Sequence, residues 1–94
     1  MAAIGEIVTS IREGLGLRKG EFARVLGVSA GAVTRWENGT RTPTTEQIGA
    51  LLRVAQPEQQ RELLEALGIE DVEQFAADLL ASAGVELVIV GGNR

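Results

Sequence analysis

The sequence contains no cysteine and no histidine, and its aromatic residues are limited to Phe22, Trp36 and Phe75. Without cysteine the chain has no disulfide framework, no thiolate metal site and no cysteine nucleophile. Without histidine it lacks the commonest general base and the commonest metal ligand. We therefore expect a binding protein rather than an enzyme, with no catalytic residues, no metal site and no cofactor.

Long hydrophobic runs are also missing, and none approaches the roughly 18 apolar residues that a membrane-spanning helix requires. The N-terminal residues lack the basic segment and the cleavage site of a secretory signal. The chain has 94 residues, 45% hydrophobic and 23% charged. These values are typical of one globular domain with at most a short appendage. We expect a cytoplasmic protein that makes no contact with membranes.

Basic residues are few and unevenly distributed along the chain. Residues 1–55 contain seven basic and five acidic side chains, whereas residues 56–94 contain two and eight, so the net charges are +2 and −6. Charges more than about 8–10 Å apart are largely screened at cellular salt, so binding to phosphate depends on local potential. The first half could therefore bind nucleic acid despite the total charge of −4. Alternatively, the charges serve solubility and the asymmetry has no function.

Apolar residues recur at helical spacing along most of the chain, beginning with Ile4, Ile7, Val8 and Ile11. Residues that initiate and terminate helices divide this pattern into five or six predicted helices. The predicted starts are Ile4, Lys19, the cap Ser29, the capping box at Thr44, Pro57 and the cap Asp71. The predicted stops are Gly14 with Gly16, Gly27, Asn38 with Gly39, Gly68 and Gly84. The last helix is expected to bury Val72, Phe75, Ala76, Leu79 and Leu80.

Residues 19–38 carry the most informative pattern, two short helices joined by a tight turn. Gly27 can adopt the positive φ that opens such a turn without steric strain. Ala23 is small enough for the second helix to cross the first closely. The expected core side chains of this unit are Phe22, Leu26, Val28, Val33 and Trp36.

The segment LGVSAGAVTRWENGTRTP, residues 26–43, resembles the recognition helix and following loop of the Cro/cI-type (Xre-like) helix-turn-helix family of DNA-binding regulators. The matching positions are Leu26, Gly27, Val28, Ser29, Val33, Trp36, Glu37, Asn38, Gly39 and Pro43. The resemblance covers about residues 4–54 and implies a five-helix lambda-repressor-like helix-turn-helix domain. We accordingly expect an all-α fold, with a DNA-binding domain at residues 1–55 and an acidic helical extension at residues 56–94.

The resemblance also implies that the helix of residues 29–37 enters the major groove of double-stranded DNA. The residues expected to contact DNA are Arg18, Lys19, Ser29, Ala30, Gly31, Thr34, Arg35, Asn38, Thr40 and Arg41. Arg35 is the candidate for a bidentate contact to guanine. Glu37 is expected to pair with an arginine or to cap locally, because phosphates repel it. Arg12, Arg24 and Arg53 are expected to be surface charges.

The sequence departs from the family pattern at two places. Lys19 stands where the family often has a glutamine that touches phosphate. The first turn of the recognition helix is Ala30, Gly31 and Ala32, where glutamine, arginine or asparagine is frequent. Recognition by that turn is therefore expected to depend on shape and methyl contact.

The tail, residues 85–90, is β-branched and nearly all apolar, which predicts a short strand ending the helical extension. A lone strand leaves its backbone groups unpaired. Because family members usually act as two-fold dimers, we predict that this strand pairs with its copy in a homodimer. The residues assigned to that contact are Val85, Leu87, Val88, Ile89 and Val90. Alternatively, the sequence is a fragment, or the strand pairs with a different protein.

Three functions are compatible with the sequence. The first is a sequence-specific transcriptional repressor that acts as a homodimer on a palindromic operator. The second is the antitoxin of a toxin–antitoxin pair, in which the acidic half holds the toxin and the complex regulates its own operon. The third is a protein-interaction module that recognises no bases.

Overall fold

Six α-helices account for most of residues 3–84, the part of the chain that the computed structural model describes; for residues 82 and 83 it describes the backbone alone. The helices are α1 (Ile4–Gly14), α2 (Lys19–Leu26), α3 (Ala30–Glu37), α4 (Thr45–Val54), α5 (Pro57–Ala66) and α6 (Val72–Ala83). No strand occurs within residues 3–84. The predicted strand at residues 85–90, with the dimer residues Val85, Leu87, Val88, Ile89 and Val90, lies outside the described residues.

The all-helical prediction is confirmed, and the six helices match the six starts predicted from the sequence, whereas the five-helix count implied by the family resemblance is not supported. Six helices form because the segment after Gly68 has a cap of its own, in which Asp71 Oδ1 accepts a hydrogen bond from Gln74 N at 3.0 Å. Helix α6 then packs on α4. None of the helices within residues 3–84 is long and apolar enough to cross a membrane.

Helix boundaries follow the predicted caps. Thr44 Oγ1 accepts from Gln47 N at 3.2 Å, and Gln47 Oε1 accepts from Thr44 N at 2.8 Å, which completes the predicted capping box of α4. Ser29 Oγ accepts from Ala32 N at 3.1 Å at the start of α3. These bonds satisfy amide groups that have no partner within their own helix.

One aliphatic core joins the first five helices around two aromatic rings, Phe22 and Trp36, which are almost completely buried. Helix α5 packs on α1 and contributes Leu63 and Leu64 to this core. The core also contains Ile7, Val8, Ile11, Ala23, Val33, Ile48, Leu51 and Leu52. On α6 the predicted stripe is only partly inward: Leu79 is buried, whereas Leu80 is 56% exposed. Helix α6 packs mainly on α4, so the side of α6 that carries Leu80 remains uncovered.

Gly5 marks a close approach between α1 and the end of α3. A Cβ placed there would lie 2.5 Å from the carbonyl oxygen of Glu37 and 2.8 Å from that of Trp36. Helix α2 packs chiefly on α3, and Ala23, predicted to lie at a close crossing of the first two helices, is buried in the core. The crossing that requires a small residue therefore joins α1 to the end of α3.

Candidate nucleic-acid interface

Helices α2 and α3 form a helix-turn-helix unit around Gly27. Gly27 has a φ of +75°, which confirms the positive φ predicted for this turn. The amide of Val28 donates to the carbonyl oxygen of Ala23 at 2.9 Å, so the end of α2 leads directly into the turn. The turn packs α3 against α2. Val28 in the turn is half-buried and packs against the core.

Helix α3 has one buried face and one exposed face. Val33 and Trp36 are buried in the core, as predicted. Ala30, Gly31 and Arg35 are exposed on the opposite face, whereas Thr34 is half-buried. Of the remaining predicted contact residues, Arg18, Lys19, Ser29, Asn38, Thr40 and Arg41 are all exposed. Nine of the ten residues predicted to contact DNA are therefore exposed, and the tenth, Thr34, is partly exposed.

The guanidinium of Arg35 lies over the bare backbone of Gly31, one helical turn earlier. A Cβ at Gly31 would be 3.3 Å from Nη1, 3.7 Å from Nη2 and 3.8 Å from Cζ of Arg35. The guanidinium therefore occupies the space that a side chain at position 31 would need. Gly31 and Arg35 are therefore direct neighbours on the exposed face of α3.

The loop after α3 is held by its own hydrogen bonds. Asn38 Oδ1 accepts from the Thr40 amide at 3.1 Å and from the Thr40 hydroxyl at 2.8 Å. The amides of Thr40 and Arg41 both donate to the carbonyl oxygen of Arg35, at 3.0 and 3.2 Å. The Thr40 hydroxyl proton is thus used within the loop, where it orients the Asn38 side chain. The side-chain nitrogen of Asn38 is the donor that an acceptor outside the loop could use.

Arg12 and Glu37 join α1 to the C-terminal end of α3 by a partly buried ion pair, which confirms the arginine partner predicted for Glu37. Arg12 Nε donates to Glu37 Oε2 at 2.7 Å, and Nη2 donates to Oε1 at 3.3 Å. Arg12 Nη1 also donates to the carbonyl oxygen of Leu17 at 3.0 Å. Arg12 was predicted to be a surface charge; its side chain is only 15% exposed, because Glu37 draws it inward.

The hydrogen bond to Glu37 raises the pKa of the Arg12 guanidinium, and burial opposes that rise only in part. A raised pKa means that the folded state favours the charged form, so Arg12 stays cationic throughout the pH range in which the protein is handled. The pair links α1 to the helix that carries the exposed face. Arg24 and Arg53, by contrast, are exposed as predicted.

Helix α2 begins with two exposed basic residues, Arg18 and Lys19. The backbone amide of Arg18 donates to Glu21 Oε1 at 2.9 Å, while the Arg18 side chain makes no capping bond to α2 within the described structure. Both basic side chains are thus available at the positive end of the helix dipole. In the range 3–84 no group of three or more acidic side chains is arranged to hold a metal ion.

Comparison with known proteins places this geometry in a family. The sequence is similar to the protein named Antitoxin PezA of Streptococcus pneumoniae serotype 4, with 42% identity over 45 residues. The alignment covers 48% of this chain and 28% of that protein, so the chain matches only a minor part of the relative. No solved structure matches significantly. The helix-turn-helix family profile matches residues 9–56, slightly more than half of the chain, and the chain therefore belongs to the Xre/Cro-cI-like helix-turn-helix family.

Proposed function

We propose that the chain is a sequence-specific DNA-binding transcription regulator, a repressor that acts as a homodimer on a palindromic operator. One observation carries the proposal: the core fixes Val33 and Trp36 of α3 inward, so Ala30, Gly31 and Arg35 face outward from a helix-turn-helix. An α-helix fits the major groove of B-DNA, where its N-terminal residues approach the base edges.

Phosphate contacts would flank that helix on both sides. Arg18 and Lys19 lie at the start of α2, and Arg41 follows α3 in the loop that the Arg35 carbonyl holds in place. Ser29 and the first amides of α3 suit a phosphate at the helix N-terminus. Such contacts fix the position of a protein on the duplex, whereas the base contacts of Arg35 and Thr34 supply specificity.

Salt dependence measures the phosphate contacts directly. Arg18, Lys19 and Arg41 provide six cations per dimer, so we expect log Kd to change with log salt with a slope of about 5. Lys19→Ala should lower that slope by about 2, because each dimer loses two cations. Fluorescence anisotropy with a duplex selected from a random pool gives both values. Arg53→Ala, an exposed arginine on α4, is the control and should keep the slope of the unaltered protein. An unchanged slope for Lys19→Ala would show that Lys19 does not contact a phosphate.

The homodimer is proposed because one helix-turn-helix unit contacts too few base pairs to select an operator from a genome. A chain shortened to end at Gly84 should be monomeric in size-exclusion chromatography with light scattering, while the full chain is dimeric. The shortened chain should also bind half of a selected palindrome as well as the whole. A dimer that persists after shortening would contradict the role proposed for Val85, Leu87, Val88, Ile89 and Val90.

The antitoxin function is the second candidate, favoured by the similarity to Antitoxin PezA. The net charge of −6 in residues 56–94 suits a basic protein partner. A small open reading frame beside the gene whose product co-purifies with this chain would support that function. If the chain binds such a partner but no DNA even at low salt, it is an interaction module instead.

A further inference from the structure

We propose that Ala30, Gly31 and Arg35 recognise a guanine next to a pyrimidine that carries a 5-methyl group, so that the protein detects the methyl itself. This inference rests on the proposed DNA binding and specifies what the exposed face of α3 selects. In ordinary DNA the methylated pyrimidine is thymine, and in modified DNA it is 5-methylcytosine, which carries its methyl at the same ring position.

The first step of the argument concerns polar groups on the exposed face of α3. Recognition of adenine usually requires a side-chain amide, and recognition of cytosine a carboxylate. The exposed first turn has neither, since Ala30 and Gly31 provide only a methyl group and bare backbone. The Ser29 hydroxyl oxygen already accepts a hydrogen bond from the Ala32 amide. Arg35 is therefore the strong hydrogen-bonding side chain of this face, and its bidentate partner is guanine.

The second step concerns the space beside Arg35. The three atoms nearest to an imagined Cβ at Gly31 all belong to the Arg35 guanidinium, at 3.3 to 3.8 Å. When the guanidinium swings out to guanine it vacates that space, and the bare Gly31 backbone remains beside the methyl of Ala30. That space is the size of the Cβ that position 31 lacks, and the Gly31 methylene borders it. A pyrimidine 5-methyl is the apolar group that the major groove presents.

Methyl detection is tested by removing the methyl without changing base pairing. One random duplex pool is amplified with dTTP and a second with dUTP, and the sequences bound by the full chain are recovered from both. We expect the first pool to yield a motif with guanine beside thymine. Replacing that thymine by uracil should weaken binding about fourfold, the effect of losing one buried methyl group. A duplex with 5-methylcytosine there should likewise bind about fourfold more tightly than one with cytosine.

Two variants locate the effect in α3. Arg35→Ala should lower the preference for guanine by about 5- to 150-fold, because the bidentate contact is lost. Gly31→Ala fills the proposed opening and should abolish the difference between thymine and uracil. It should melt no lower than the unaltered chain, since alanine favours helix, so a lost distinction would not come from unfolding. Arg53→Ala is the control and should retain both preferences.

Equal binding of the thymine and uracil duplexes would overturn the inference while leaving DNA binding intact. So would a Gly31→Ala protein that still distinguishes them. Failure of the proposed function would look different, because no duplex from either pool would then bind, even at low salt.

Discussion

Replacing Gly5 with alanine is expected to destabilise the fold by about 3 kcal/mol, the upper end of the range for overpacking a core. The added Cβ would lie 2.5 Å from the Glu37 carbonyl oxygen and 2.8 Å from that of Trp36. Both are backbone atoms of α3, so no side chain can rotate away, and α1 and α3 must separate. Small domains have only about 5–15 kcal/mol of stability in total, so this loss is large.

Urea unfolding monitored by Trp36 fluorescence measures this effect, and the chain supplies two matched controls. Gly20 and Gly31 occupy the second position of α2 and α3, as Gly5 does in α1. A Cβ at Gly20 meets nothing within 4 Å, and at Gly31 it meets only the flexible end of Arg35. Alanine at either control should leave stability unchanged or raise it by up to about 1 kcal/mol. If Gly5→Ala behaved like its controls, the close approach of α1 to α3 would be refuted.

Arg12→Met is expected to cost about 1–3 kcal/mol, because it leaves the partly buried Glu37 carboxylate without its hydrogen-bond donor. Glu37 is 9% exposed and receives two hydrogen bonds from the guanidinium. The substitution also removes the donor to the Leu17 carbonyl oxygen, which lies between α1 and α2. Methionine keeps most of the side-chain volume, so the loss reports charge and hydrogen bonding rather than a cavity. Chemical unfolding of the single variant gives the value.

The double variant Arg12→Met with Glu37→Leu separates the cost of an orphaned charge from the net contribution of the pair. Replacing both members of a buried pair by apolar side chains is often nearly neutral, so most of the stability should return. Arg24→Met, at an exposed position on α2, is the control and should change stability by less than about 0.5 kcal/mol. If the double variant were as unstable as Arg12→Met, the loss of stability would come from losing the ion pair itself. The unpaired Glu37 carboxylate would then not be its cause.

Features that depend on a few consecutive residues could be predicted from the sequence. The caps at Ser29, Thr44 and Asp71 and the positive φ at Gly27 were all correct. Each is determined by hydrogen bonding or steric freedom within about four residues. The inward orientation of Val33 and Trp36 followed in the same way from helical spacing. The exposed face of α3 could therefore be predicted as the complement of its buried face.

Features that depend on how helices pack could not be predicted in the same way. Arg12 and Glu37 are 25 residues apart, so no local spacing distinguished Arg12 from Arg24 as the partner. Gly5 has an ordinary helical neighbourhood in the sequence, and its importance arises only from the backbone of α3. The position of Arg35 over Gly31 could have been anticipated, since residues four apart share a helix face.

Helix α3 has eight residues and is about 12 Å long. An isolated helix in water needs roughly 12–15 residues to be even marginally stable. The exposed face of α3 therefore forms only together with the core behind it, and a peptide of these eight residues would be a coil. Warming that unfolds the protein is therefore expected to abolish the proposed DNA binding. A variant such as Gly5→Ala, with its large loss of stability, would lose the exposed face of α3 at a lower temperature than the unaltered chain.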